Sequence, residues 1–281
     1  MENFIRFYQN IPLHINPIAF KIGFFKIGWY GISYLAAFLV VYSLLKYRIK
    51  KEEKNIQVFL LNIFFVYAIL GVLVGGRLGY VLFYNLPYYL KNPLEIISLY
   101  NFGAHAWTGI YGMSYHGGLI AVILIAIWFC RKNKISFHAF SDFIVPAIPA
   151  GYFFGRLGNF LNEELYGRIT NSYWGMYFYD GKNIFLRYPS QLIEAFLEGA
   201  VIFIILWTFR NKIYLKGRIL FLYVFFYGAA RFAAEFFRQP DPQLGYLWNW
   251  LTLGQILSLV MISGGLLLFV WDRCYNKINS H

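Results

Sequence analysis

Charge is what this chain has least of. Of its 281 residues only 14% are Asp, Glu, Lys or Arg, whereas soluble domains carry about 25%. A water-soluble globule of this length is therefore excluded. Cysteine is nearly absent. Cys130 and Cys274 are the two, they lie at the ends of different apolar stretches, and no disulfide framework or metal-ligand spacing follows from them. No His, Asp and Glu cluster has ligand spacing either, so neither a metal nor another cofactor is expected. Internal repeats, linkers and low-complexity segments are missing, which leaves one integral membrane domain over 1–281. The opening MENFIRFYQN is not followed by a short apolar region with a small-residue cleavage site, so no removable leader is expected.

What is present is apolar and aromatic. Hydrophobic residues make up 59% and aromatic ones 22%, and Trp and Tyr anchor membrane interfaces. A spanning helix needs about 20 mostly apolar residues. Seven stretches qualify, at roughly 24–45, 58–84, 108–130, 139–161, 191–210, 218–238 and 251–271. The expectation is an all-α polytopic membrane protein of about seven transmembrane helices. The net charge of +12 does not mark a nucleic-acid partner, because the basic residues sit between apolar runs and form no stripe.

Basic residues in the connections set orientation. Fourteen fall on one side: Lys46, Arg48, Lys50, Lys51, Lys54, Arg131, Lys132, Lys134, Arg210, Lys212, Lys216, Arg218, Arg273 and Lys277. Eight are spread over the other: Arg6, Lys21, Lys26, Lys91, Arg168, Lys182, Arg187 and Arg238. The expected topology has the N-terminus outside and the C-terminus in the cytoplasm, with 162–190 as a small periplasmic head.

Three arginines remain, Arg77, Arg156 and Arg231, all inside apolar stretches. An arginine at the bilayer centre costs about 2.5–3.5 kcal/mol on insertion scales. One such residue can be satisfied by snorkelling to the headgroups, but here other polar residues gather at matching depth. Arg156 and Asn159 share a helix face. Tyr227, Arg231, Glu235 and Arg238 form one stripe. His116 falls about 12 Å below the outer end of its stretch at 1.5 Å per residue, and Tyr30 lies near the outer end of the first. Three arginines against one evident carboxylate, Glu235, leave excess positive charge, and buried uncompensated charge is costly. An anionic ligand follows, and arginine's planar fork suits phosphate. Glycines at 71, 75, 79, 151 and 155 fit close helix packing. Gly117 and Gly118 beside His116 imply close approach by a ligand or a neighbouring backbone. Ser114 lies two residues before His116 and so on a different helix face, which leaves no intrinsic nucleophile beside it.

The chain resembles bacterial prolipoprotein diacylglyceryl transferases over nearly its whole length. The stretches that carry the likeness are WYG at 29–31, GGRLGYVLFY at 75–84, GMSYHGGL at 112–119, GRLGNFLNEELYGR at 155–168, PSQLIEA at 189–195 and YGAARFAAEFFRQPD at 227–241. The resemblance implies transfer of a diacylglyceryl group from phosphatidylglycerol to the lipobox cysteine thiol of an exported prolipoprotein. A thioether forms and glycerol phosphate departs. It implies an inner-membrane location. It makes Arg156 and Arg231 the essential arginines and gives functional roles to His116, Asn159, Glu164, Gly167, Tyr30, Tyr227 and Glu235. Arg77 joins the substrate-binding set on its depth. The thiol proton would pass to His116, Glu235 or a water. Three positions depart from the family pattern. Tyr188 stands where histidine is usual, which leaves that position without an acid–base role. Glu163 and Tyr111 each stand where glycine is usual. An anionic-lipid transporter or flippase is the alternative, disfavoured by the absence of repeats. A retinal pigment is disfavoured because the last stretch has no lysine.

Overall fold

The structure, a computed structural model, describes residues 2–23, 25–52, 56–97, 100–101, 106–107, 112–239 and 251–278. Tyr111, Pro240, Asp241 and the first residues of the third expected stretch lie outside the described residues, as does the side chain of Cys274. The helices are α1 (Glu2–Asn10), α2 (Trp29–Lys51), α3 (Val58–Tyr84), α4 (Leu86–Lys91), α5 (Tyr115–Lys132), α6 (Phe137–Ile144), α7 (Ile148–Leu161), α8 (Ser190–Glu194), α9 (Ile202–Phe209), α10 (Ile219–Ala234) and α11 (Leu253–Ile278). The strands are β1 (Ile18–Ile22), β2 (Phe25–Gly28), β3 (Tyr100–Asn101), β4 (Ala106–Trp107), β5 (Met176–Tyr179) and β6 (Ile184–Arg187). Among the described residues they pair as three short antiparallel hairpins, which adds minor strands to a chain that is mostly helical, as expected. The apolar stretches are mainly helical, but the first, expected from residue 24, begins with β2 and becomes helical only at Trp29.

Among the described residues, five helices are long and apolar enough to cross a membrane: Trp29–Lys51, Val58–Tyr84, Tyr115–Lys132, Ser190–Phe209 and Leu253–Asp272. The chain is a multi-pass membrane protein. The fourth expected stretch is broken into α6, a short turn at Val145–Ala147 and α7. Pro146 and Pro149 account for the break, because each lacks the N–H an uninterrupted helix would use. The sixth is α10, of 16 residues.

The chain divides into two compact units, one of Met1–Tyr47 with Ser141–His281 and the other of Arg48–Phe140. In the second, α3 and α5 pack through glycine. A Cβ on Gly75 would lie 2.7 Å from the Gly117 carbonyl oxygen, and one on Gly79 would lie 2.6 Å from Gly117 Cα. Helices in lipid gain little from burying apolar surface against each other, so close backbone approach supplies the attraction. Phe64, Phe129 and Phe140 close this unit with edge contacts, the Phe64 ring lying 5.4 Å from Phe129 and 4.9 Å from Phe140.

In the first unit the fifth stretch is one continuous helical run, and residues Ala195–Val201 within it are π-helical. Such bulges re-aim side chains and are frequent at functional sites. The run begins directly after Pro189, whose fixed φ and missing N–H suit a helix start. At the start of α11, Thr252 and Gln255 form a reciprocal capping box. The Thr252 N–H donates to Gln255 Oε1 at 3.0 Å and the Gln255 N–H to Thr252 Oγ1 at 3.2 Å. The β5–β6 hairpin packs Met176 and Phe178 with Phe160 against Tyr8, Ile11 and Ile15. The segment expected as a head at 162–190 thus shares its core with the N-terminal residues. Its turn is closed by Asp180, whose carboxylate accepts from the N–H of Lys182 at 3.0 Å and of Asn183 at 2.8 Å. Those two bonds hold the Asp180 carboxyl below its ordinary range.

Candidate active site

Three helical runs of the first unit each offer a polar pair one turn apart: Tyr152 and Arg156 on α7, Glu194 and Glu198 on the fifth run, and Tyr227 and Arg231 on α10. Glu235 lies a further turn along, just past α10. The pairs meet. Arg156 Nε is 2.9 Å from Glu194 Oε2 and donates to the Tyr152 hydroxyl at 2.7 Å. Arg231 Nη2 is 2.8 Å from Glu235 Oε2, and its Nη1 is 3.5 Å from both Glu194 Oε1 and Glu198 Oε1. Arg238 Nη1 is 3.8 Å from Glu194 Oε1. Tyr152 donates to Glu198, and its ring stands edge-on to that of Tyr227 at 5.9 Å. Glu194 and Glu198 are 1% and 0% exposed, whereas Arg156 and Arg231 each keep 15%. The arginines form the accessible face of the cluster and the carboxylates its floor.

The excess positive charge expected from Arg77, Arg156 and Arg231 against Glu235 alone is not found in this cluster among the described residues, and Arg77 belongs to the other unit. Arg156, Arg231 and Arg238 meet Glu194, Glu198 and Glu235, so the cluster balances in formal charge. Sequence reading missed Glu194 and Glu198 although their signal was of the kind used for the arginines: two charges four apart in an apolar run. Tyr152, four before Arg156, was missed too, because one tyrosine among 24 carries no pattern of its own.

A second layer fixes the first. Arg156 Nη1 donates to Asn159 Oδ1 at 3.4 Å, and Asn159 Nδ2 donates to Glu164 Oε1 at 2.7 Å. Asn162 Nδ2 donates to Glu164 Oε2 at 3.1 Å, and Gln191 Nε2 to the Glu164 carbonyl at 2.7 Å. With both oxygens engaged, Glu164 orients its neighbours. Thr252 Oγ1 donates to Glu235 Oε1 at 3.0 Å, which ties the cap of α11 to the Arg231–Glu235 pair. Tyr30 opens α2 and donates to the Tyr34 hydroxyl at 3.1 Å. Gly158 of α7 backs onto this turn, where a Cβ would lie 3.7 Å from Tyr30 Cα. Tyr30 is thereby held beside the helix that carries Asn159.

Gly167 is a crossing point of backbones. Its N–H donates to the Tyr188 carbonyl at 2.9 Å, the Arg168 N–H donates to the Phe237 carbonyl at 3.0 Å, and Gly167 pairs with Arg238. Arg168 adds Nε to the Arg238 carbonyl at 2.8 Å and Nη2 to the Glu235 carbonyl at 3.1 Å.

Two predicted residues belong to the other unit. Arg77 donates through Nε to the Ile96 carbonyl at 2.8 Å and through Nη2 to the Glu95 carbonyl at 2.5 Å, and lies over the Tyr89 ring at 5.0 Å. These two acceptors are framework carbonyls. His116 is exposed in the first turn of α5, which begins at Tyr115. It is therefore not about 12 Å down a longer helix. Gly117 and Gly118 are likewise not mid-helix, and the close approach they implied is that of α3. Ser114 lies outside the helix. It is the cap, its Oγ accepting from the Gly117 N–H at 3.3 Å, so the different-faces argument does not apply to it.

The departure at position 163 has a physical meaning. Glu163 sits at φ +52°, a left-handed conformation that costs a side-chain-bearing residue roughly 1–2 kcal/mol. Burial also pushes its carboxyl above the ordinary range. Glu163→Gly should relieve more strain than it adds chain entropy, raising stability by about 0.5–1 kcal/mol. A thermal melt in detergent checks this, and a lowered midpoint would contradict it.

Fold and site together define a class: a multi-pass membrane protein with a buried ionic site carried by its helices. Residues 17–271 match the pattern of prolipoprotein diacylglyceryl transferase, and the chain belongs to that family. Relatives named phosphatidylglycerol–prolipoprotein diacylglyceryl transferase include one from Chlorobaculum tepidum, 46% identical over 276 residues, covering 97% of this chain and 95% of the relative. One from Bordetella avium is 48% identical over 256 residues, 91% and 94% of the two chains. One from Aliivibrio salmonicida is 46% identical over 264 residues, 94% and 89%.

Proposed function

We propose that this protein transfers the diacylglyceryl group of phosphatidylglycerol to the lipobox cysteine thiol of exported prolipoproteins. Family membership supports the reading, and so do the names of its relatives. The transporter alternative finds no support there. The structural observation that carries it is convergence. Guanidinium groups of Arg156 and Arg231 approach opposite oxygens of one carboxylate, Glu194. Two guanidinium groups on two oxygens of one anion is an arrangement that fits a phosphate.

The substrate's sulfur attacks the glyceryl carbon that bears the phosphate. The new C–S bond forms as the C–O bond breaks, and glycerol phosphate leaves with the bonding pair. Charge grows on the departing phosphate in the transition state. Arg156 and Arg231 stabilise that charge more than they stabilise the ground state, which accelerates the step. Asn159, Glu164 and Glu235 hold the two arginines in orientation. Tyr227 and Tyr30 line their surroundings, and Gly167 sets the backbone that carries Arg238. A thiolate is the reactive form of the acceptor. His116 takes the thiol proton, with Glu235 or a water as the alternative acceptor, and Arg77 is a substrate-side residue on its depth in the sequence.

The membrane arrangement belongs to the same reading. All seven apolar stretches cross the inner membrane, α6–α7 and α10 included, within one integral domain over 1–281. The N-terminus and the 162–190 head face the periplasm and the C-terminus faces the cytoplasm, on the distribution of basic residues. The test is direct. Purified protein, phosphatidylglycerol and a lipobox peptide should give a peptide heavier by one diacylglyceryl unit, and a peptide of unchanged mass would refute the assignment.

A further inference from the structure

The floor of the cluster contains an anion that is incompletely satisfied. Glu194 is 1% exposed and has Arg156, Arg231 and Arg238 within 4 Å. Yet among the described residues neither of its oxygens accepts an aligned hydrogen bond. The reason is visible at Arg156. Its single Nε hydrogen is directed to the Tyr152 hydroxyl at 2.7 Å, so the 2.9 Å approach to Glu194 Oε2 is ionic without being directed. Arg231 Nη1, shared between Glu194 and Glu198 at 3.5 Å each, is likewise without an aligned acceptor. A buried carboxylate with loose partners is held less firmly than one with aligned donors. Arg231 is at the same time left with donor capacity to spare.

We propose that Glu194 is a resident stand-in for the substrate's phosphate, a positioning residue that competes with it for Arg156 and Arg231. The inference rests on the transferase reading and adds a device to it. The incoming phosphodiester takes over guanidinium contacts that Glu194 holds only loosely. After transfer, the leaving glycerol phosphate is a monoester able to carry a second negative charge, so it would bind the same arginines more tightly than the substrate did. The return of Glu194 to the arginines displaces it. The carboxylate therefore weakens phosphate binding at every stage and speeds release of the product.

The discriminating variant is Glu194→Gln, which keeps size and removes one negative charge. Glycerol phosphate and inorganic phosphate are titrated by calorimetry into wild type and variant, with vesicles of phosphatidylglycerol and of phosphatidylcholine as lipid arms. The variant should bind glycerol phosphate about tenfold more tightly, on the Coulomb change from one charge at this range. Tighter binding of phosphatidylglycerol but not of phosphatidylcholine assigns the effect to the anionic headgroup; equal tightening of both would overturn the proposal. In the transfer assay KM and kcat should both fall. A first turnover near the wild-type rate should precede a slow steady state. A purely structural role would lower kcat without tightening phosphate binding, and that result would overturn the proposal. If Glu194→Gln does not fold, the wild type carries the test. Its infrared difference spectrum on adding phosphate must show a carboxylate-stretch change, and a flat carboxylate region would overturn the proposal. Loss of the transfer reading is separable, because it appears as a wild type that modifies no peptide.

Discussion

Arg156→Lys and Arg231→Lys should each lower the initial transfer rate by about a hundredfold or more, the scale of losing one preorganised donor to a developing oxyanion, while the protein stays folded. Charge is retained in both, so what is tested is shape. Arg156 reaches the Tyr152 hydroxyl with Nε and Asn159 with Nη1 while lying 2.9 Å from Glu194. Arg231 spans Glu235 with Nη2 and Glu194 and Glu198 with Nη1. One ammonium at the end of a flexible stem cannot hold two or three such directions at once, and Lys is not a conservative replacement at a forked site. Initial rates in detergent, with circular dichroism to confirm the fold, measure the effect. Near-normal rates in both variants would mean that the cluster supplies only positive potential.

Gly167→Ala should be nearly as severe, for a different reason. A Cβ there would lie 2.3 Å from the Phe237 carbonyl oxygen and 2.6 Å from the Tyr188 carbonyl oxygen. Both obstacles are backbone, and both belong to the ladder that pairs the 167–168 segment with its two neighbours. No side chain can swing aside. Overpacking of this kind typically costs about 1–3 kcal/mol, so the melting midpoint should fall. The rate should fall further than stability alone requires. Phe237 precedes Arg238, whose guanidinium approaches Glu194, and Arg168 beside Gly167 holds the Glu235 carbonyl. A shift of about 1 Å in such a frame can cost on the order of a hundredfold in rate. An alanine variant with unchanged melting and unchanged rate would refute this account of Gly167.

The sequence carried the membrane class, the apolar helices and the stripe of Tyr227, Arg231 and Glu235, because these depend on composition and on helical period alone. It carried Arg156 and Asn159 for the same reason. It did not carry the partners. Whether a buried arginine faces a ligand or a carboxylate depends on which helices adjoin. Glu194 and Glu198 stand in a run that reads simply as a span, and the π-helical turn that sets Glu198 has no local signature. The capping box at Thr252–Gln255 was legible as T-x-x-Q ahead of an apolar run, but its use as a brace for Glu235 needed the fold. His116 was displaced from its expected depth because the start of α5 is set by the Ser114 cap, not by the apolar stretch. The resemblance named Gly167. Its reason, two carbonyl oxygens within 3 Å of a missing Cβ, lies in pairings between segments some 20 and 70 residues away.

A whole diacylglyceryl unit moves to sulfur and glycerol phosphate departs. The decisive measurement uses phosphatidylglycerol labelled separately in its glyceryl backbone and in its headgroup, incubated with the purified protein and a lipobox peptide. Backbone label should appear on the peptide and headgroup label in water-soluble glycerol phosphate, and the sulfur bond should resist neutral hydroxylamine. Backbone label retained in a lysolipid, with only a hydroxylamine-labile acyl chain on the peptide, would contradict that transfer.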